Sequence, residues 1–336
     1  MNTNVLEVSE LSVSFLVDEE YIKCVRNVSF TVKAGECLAI VGESGCGKSV
    51  TAKSVMGLIR QQNGKISKNS RILFENEDML NNDKKQWTQV RGKDIAMVFQ
   101  DSMSALNPTM RIGKQIEEIL LNHKICKKSD AKKKTIQLLK KVGIPYAEKR
   151  SRQYPHEFSG GMRQRIMIAM AIACNPRLLI ADEPTTALDV VVQAQILEML
   201  KRLQKEENMS IILVTHDFGV VARMADRVAV MYSGSIVEQG SLKDIFYRTK
   251  HPYTRALLKS QPRLNDRKGK ELYTLEGTPP ILKNIPEGCP FCFRCENAMN
   301  ICVKKMPKAT DFNEEHKASC WLFHNENVRS EGEING

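Results

Sequence analysis

Residues 42–49 read GESGCGKS and follow directly on the apolar run Cys37–Val41. Three glycines in eight positions let the backbone curl with its N–H groups turned inward, where side chains would obstruct an anion. Lys48 supplies a point charge for the β- and γ-phosphates and Ser49 a hydroxyl for Mg²⁺. The helix expected after them adds the positive end of its dipole. The pattern G-x-x-x-x-G-K-[ST] after a buried strand thus predicts a triphosphate cradle formed by Gly42, Ser44, Gly45, Cys46, Gly47, Lys48, Ser49 and Val50. Cys46 reads as a tolerated small residue within it.

Alternating apolar residues on the N-terminal side (Leu11, Val13 and Phe15, then Phe30 and Val32) predict strands. Short apolar runs further on, Ile95–Phe99, Leu178–Ala181 and Ile211–Val214, are separated by helix-length segments. Such runs suit strands buried on both faces of a largely parallel sheet. Each ends in a reactive residue, Gln100, Asp182, or Thr215 with His216, as expected where ligands bind at the carboxyl ends of strands. An unpaired Asp182–Glu183 pair at a buried strand end would be costly. The chemistry that resolves the cost has Asp182 holding Mg²⁺ through water while Glu183 polarises the water that attacks the γ-phosphate. His216 is placed to sense that phosphate, although alone after a strand it reads as a structural histidine. One phosphate loop and no internal repeat imply one nucleotide-binding half.

The chain has 336 residues, 42% hydrophobic and 26% charged, enough for two domains of unequal size. Its longest apolar run, Ile166–Cys174, has 9 residues, far short of a membrane span. The opening MNTNVLEVSE carries acids where a secretory signal would carry bases, so none is expected. The net charge of +11 is concentrated in Lys124–Arg152, which holds 11 basic and 2 acidic residues, a surplus of 9. Ile136, Leu139 and Val142 recur there at helical spacing, predicting an amphipathic helix with a solvated basic face. Without interleaved aromatics, no nucleic-acid partner is expected.

Phe158–Met162 (FSGGM) sets Ser159 and two glycines before the helix-like run Met162–Cys174, a second helix N-terminus able to receive a phosphate or simply an N-cap. It begins 109 residues after Ser49 and reads as a lid for another chain's nucleotide. FSGGMRQR shortly before LLIADEP resembles the signature of ATP-binding-cassette ATPases. Gln100 in VFQD, Ala187–Asp189 and His216 in THD are similar to that superfamily's Q-loop, D-loop and switch histidine. The resemblance covers residues 5 to about 240. It implies an α/β P-loop cassette with a mostly parallel core sheet, an N-terminal antiparallel β subdomain and an inserted helical subdomain near 103–157. It further implies that Gln100 joins Ser49 and Asp182 at Mg²⁺, and that Ser159, Gly160 and Gly161, with Asp189, serve ATP across a head-to-tail pair of cassettes. The adenine-stacking aromatic would fall at Phe15, with Tyr21 a second candidate. Met162 departs from the glutamine common at its position and leaves the phosphate-facing residues intact.

Further on, HPYTRALL (His251–Leu258), EGTPP (Glu276–Pro280) and PEGCPFCFRC (Pro286–Cys295) resemble the oligopeptide and dipeptide importer ATPases. That implies a cassette over 1–245 and a small cysteine-rich tail domain over 246–336. It also implies ATP-driven import of peptides with a second, similar cassette, two transmembrane permease subunits and an extracytoplasmic substrate-binding protein. The chain would lie peripherally on the cytoplasmic face of the membrane and touch the permease through DSMSALNPTM after Gln100. Seven of 12 prolines lie between Pro252 and Pro307, so the tail is expected to be extended and turn-rich. Five of ten cysteines fall in the last 48 residues, and a reducing compartment favours a metal over disulfides as their staple. Cys289, Cys295, Cys302 and Cys320 match what in that family resembles a [4Fe-4S] ligand set. Cys292 offers a rival ferredoxin-like C-x-x-C-x-x-C run, and structural Zn²⁺ is a rival metal. An importer of nickel or metal chelates, and a nucleic-acid repair or chromosome ATPase, are the alternatives. The modest gap between phosphate loop and signature speaks against the second.

Overall fold

A computed structural model describes residues 4–101, 105–186, 188–261 and 273–324, the side chains at 60 and 61 excepted. Two sheets organise it. The first is antiparallel, in the order β2-β1-β5-β6 with β4 on β1, built from β1 (Asn4–Val17), β2 (Glu20–Lys33), β4 (Gly64–Ile66), β5 (Arg71–Phe74) and β6 (Glu77–Asp78). The alternating residues Leu11, Val13, Phe30 and Val32 all point into its core.

The second sheet has the order β12 (Thr310–Asp311), β13 (Lys317–Ala318), β11 (Ser235–Ser241), then β10-β3-β9-β8-β7. Its centre is parallel: β10 (Arg227–Tyr232), β3 (Cys37–Val41), β9 (Ser210–Thr215), β8 (Leu178–Asp182) and β7 (Ile95–Val98). Every residue of β3, β7, β8 and β9 is buried, which is why these strands are uninterrupted apolar runs. The pleat divides them between two cores. Leu179, Ala181, Ile211 and Leu213 face the helical side, whereas Leu178, Ile180, Ile212 and Val214 face the antiparallel sheet. Each fully buried Leu or Ile contributes roughly 1.5–3 kcal/mol.

Between β7 and β8 the chain inserts helices Ile112–Asn122, Lys128–Lys141, Ala147–Arg150 and Gly160–Ala171. In Lys128–Lys141 the buried residues are Ala131, Thr135 and Leu139, followed by buried Val142, so the basic side chains form the outer face as expected. The expected permease contact at 101–110 includes residues 102–104, which lie outside the described residues, as does Ala187 of the expected D-loop.

Helix Leu242–Tyr247 straddles residue 245, and after it come helix Pro252–Lys259, a turn-rich stretch, the short helix Asn300–Lys304, and the two-residue strands β12 (Thr310–Asp311) and β13 (Lys317–Ala318). β13 pairs with β11 (Ser235–Ser241), so this region extends the main sheet. It also shares a core with it: Cys289, Phe291, Cys292, Cys302 and Trp321 pack with Ala39, Val41, Val228 and Tyr232. Among the described residues no helix is long and apolar enough to cross a membrane.

Candidate active site

The carboxyl ends of β3, β7, β8 and β9 open into one cleft of about 690 Å³, whose lining includes Gly42–Gly45, Gly47–Val50, Gln100, Glu183, Thr186 and His216. β3 delivers the chain into the phosphate loop, and helix Lys48–Val55 leaves it with its N-terminus at the cleft. Gly47 caps that helix at φ 100°, and a Cβ there would stand 2.6 Å from the carbonyl oxygen of Cys24, so only glycine fits. Lys48 Nζ donates to the carbonyls of Gly42 and Glu43 at 2.8 and 2.9 Å, which holds the ammonium over the loop's mouth. Cys46 is buried beneath the loop, and burial raises its thiol pKa, so it is a packed thiol.

Ser49 Oγ donates to Asp182 Oδ1 at 2.9 Å. Burial lifts the Asp182 pKa against the opposing pull of that hydrogen bond. A buried carboxylate beside a hydroxyl is a hard-oxygen pair of the kind Mg²⁺ takes, and the ion would offset the desolvation that Asp182 suffers. The neighbouring Glu183 carboxylate is gripped from three sides. Gln100 Nε2 and Thr186 Oγ1 donate to its Oε2 at 3.1 and 2.9 Å, and His216 Nδ1 lies 3.3 Å from Oε1. Its backbone sits at φ 48°, left-handed for a non-glycine residue, and its N–H donates to Val214 O at 2.9 Å. Strain of this kind is retained where the surroundings fix it, and here it aims the carboxylate into the cleft.

The structure therefore brings Lys48, Ser49, Gln100, Asp182, Glu183 and His216 together, as their order along the chain predicts. It places Ser159, Gly160, Gly161 and Asp189 elsewhere. Ser159 caps helix Gly160–Ala171, accepting from Met162 N at 3.4 Å, and Asp189 caps helix Val190–Glu207, accepting from Val192 N at 2.9 Å. These two helix starts touch: a Cβ on Gly161 would come within 2.5 Å of Val192 Cγ1. None of the four lines the phosphate cleft. Phe15 does not line it either; its ring packs so closely on the backbone of Gly64 that a Cβ there would lie 2.8 Å away. Tyr21 is about half exposed, with Lys65 Nζ 3.9 Å from its ring centroid.

Sequence reading missed Thr186, whose only signal was its place three residues after Glu183. It also missed the contribution from beyond residue 245, since Leu257 and Leu282 line the same cleft. The [4Fe-4S] set Cys289, Cys295, Cys302 and Cys320 gains no support, with or without Cys292, and neither does Zn²⁺. Among the described residues no group of three or more His, Cys, Asp or Glu side chains is placed to hold a metal ion. Burial pushes the Cys289 thiol up to about 12 and the Cys320 thiol up to about 11, with smaller contributions from neighbouring thiols.

The ABC transporter family matches residues 25–186, and the oligopeptide/dipeptide transporter C-terminal region matches residues 237–302. The chain is 53% identical to the dipeptide transport ATP-binding protein DppD of Bacillus subtilis over 95% of its own length and 94% of the relative's. It is 49% identical to the oligopeptide transport ATP-binding protein OppD of Salmonella typhimurium over 90% and 89%. It belongs to the family of oligopeptide and dipeptide transport ATP-binding subunits. Its activity is that of an ABC ATPase. Among solved structures, the dimeric post-hydrolysis state of the ATP-binding cassette MJ0796 bound to ADP and Pi superposes with a TM-score of 0.62 at 27% identity, covering 70% of this chain and 98% of that one. The protein cbiO1 of Clostridium perfringens, part of the ABC transporter complex cbiONQ, superposes at 0.63 and 28%, covering 74% and 93%.

Proposed function

We propose that this ABC ATPase energises a membrane importer of di- or oligopeptides, lying peripherally on the cytoplasmic face and pairing head to tail with a second, similar cassette. Two permease subunits and an extracytoplasmic binding protein complete the assembly, with 101–110 as the contact to the permease. Residues 1–245 form the motor and 246–336 the transporter-specific tail. The observation that carries the catalytic reading is the Glu183 carboxylate, aimed into the phosphate cleft and held by Gln100, Thr186 and His216. Gly42, Ser44, Gly45, Cys46, Gly47 and Val50 wrap the phosphates through their backbone, and Lys48 with the helix N-terminus neutralises them. Ser49 and Asp182, with Gln100 nearby, would hold Mg²⁺, which supplies charge neutralisation at the β- and γ-oxygens. Glu183 accepts a proton from the attacking water, and His216 binds the γ-phosphate. Phe15, packed on Gly64 outside the phosphate end of the cleft, would stack on the base, with half-exposed Tyr21 as the second candidate.

Ser159, Gly160, Gly161 and Asp189 stand outside the cleft with their helix starts solvent-facing, which suits service to a partner's ATP. ATP then joins two half-sites and its hydrolysis parts them, a two-state element that a permease can read. No step runs through a cluster at Cys289, Cys295, Cys302 and Cys320. The test is reconstitution with permease and binding protein from the same membrane. ATP turnover should rise on adding di- or oligopeptides, whereas a rise with nickel chelates alone would move the cargo to metals.

A further inference from the structure

The Cys289–Cys295 loop reaches the phosphate loop with a single charged side chain. Arg294, 7% exposed, forms a two-pronged ion pair with Glu43: Nη1 donates to Oε2 at 2.7 Å and Nη2 to Oε1 at 3.1 Å. The same guanidinium donates to Tyr232 Oη at 3.2 Å and to the carbonyl of Glu276 at 3.0 Å. Burial alone would lower its pKa, but the bonds to Glu43 and Tyr232 carry it above the ordinary value, so it is a permanent cation. A second strut accompanies it. The backbone N–H of Glu43 donates to Tyr253 Oη at 3.0 Å, and the rings of Tyr232, Tyr253 and Phe291 pack together with centroids 4.6–5.3 Å apart. Glu43 lies inside GESGCGKS, and its own carbonyl is one of the two that anchor Lys48.

A carboxylate at that point of a triphosphate cradle is a liability. Free, it would repel the polyphosphate at short range in a partly desolvated cleft. We propose that Arg294 is a positioning residue for the ATP site, neutralising Glu43 and fixing the phosphate loop in its ATP-accepting shape, so that the C-terminal region is a working part of the nucleotide site. The inference rests on the placement of ATP in this cleft. It accounts for a pairing that spans 251 residues of sequence, and for a bidentate geometry that a lysine would not reproduce. Leu257 and Leu282 of the same region also line the cleft.

The experiment is calorimetric titration of the full-length chain with MgATP. Arg294→Met should weaken binding roughly tenfold, the effect of about one charge interaction at a partly buried site. The weakening should shrink as salt is raised. Arg294→Lys, which keeps the charge, should lose only about threefold and covers the case in which Arg294→Met does not fold. The decisive variant is Glu43→Gln with Arg294→Met, which removes both charges and should bind at least about threefold more tightly than Arg294→Met alone. A side chain needed only for packing would leave that double variant as weak as Arg294→Met, and this result overturns the proposal. So does parental affinity in Arg294→Met. Lys48→Ala separates the two readings: binding lost there, as expected, keeps ATP in this cleft, whereas parental affinity would displace the nucleotide and the positioning role with it.

Discussion

At the scale of single residues the site is a set of charges that the fold holds apart from water and close to each other. Glu183 is the residue whose alteration isolates chemistry from binding. Glu183→Gln keeps the shape and the hydrogen-bond capacity for Gln100 and Thr186 but removes the proton acceptor. ATP binding is therefore expected to persist while turnover falls on the order of 10²–10⁴-fold, read by phosphate release beside nucleotide titration. Unchanged turnover would strip Glu183 of its role. A different residue sets acid sensitivity. His251 is fully buried, its Nδ1 accepts from Tyr253 N at 3.1 Å to cap helix Pro252–Lys259, and Glu238 accepts the N–H of His251 at 3.0 Å. Burial drives its pKa down to about 4, with Glu238 opposing. The unfolded histidine titrates near 6.5. Between those values the unfolded chain binds a proton that the folded chain refuses, so this contribution is complete above pH 6.5 and is lost as pH falls towards 4. The loss is on the order of 3 kcal/mol. His251→Asn keeps a capping acceptor without the titration. Denaturant midpoints compared at pH 7.5 and 5 should then drop less for the variant than for the parent, and an equal drop would assign the acid sensitivity to other groups.

At the scale of elements, burial on both faces made the central strands legible. β3, β8 and β9 begin and end within a residue of the apolar runs Cys37–Val41, Leu178–Ala181 and Ile211–Val214, because no position in them meets water. Ile212, fully buried between two neighbouring strands, is the natural probe. Ile212→Ala should cost about 2–5 kcal/mol in a denaturant titration, whereas a loss below about 1 kcal/mol would mean that the strand is not the packed centre described. Elements past residue 245 were far less legible. β12 and β13 have two residues each, too few to show a period, and they join the sheet through β11 alone. Cysteine spacing decides nothing there, since it cannot distinguish a thiol that binds metal from one packed against Phe291 and Trp321. Arg294 carried no local signal at all, because its partner lies at the opposite end of the chain.

At the scale of the whole molecule, one chain gathers the cradle, the water-activating carboxylate and the histidine, and leaves the second phosphate-ready helix start facing outward. The order of motifs revealed the first three because each terminates a strand of one sheet. It revealed the fourth only through its separation from them, and partner geometry is not written in one sequence. The central claim is that ATP completes two half-sites in two cassettes. The measurement that tests it most directly is ATP turnover by the assembled transporter carrying Ser159→Arg with Gly160→Val in this chain. Both positions lie outside the chain's own cleft, so MgATP binding to the isolated variant should match the parent while turnover in the assembly falls at least tenfold, a rise of about 1.4 kcal/mol in the barrier. Turnover equal to the parent's, with the partner cassette present, would contradict the account.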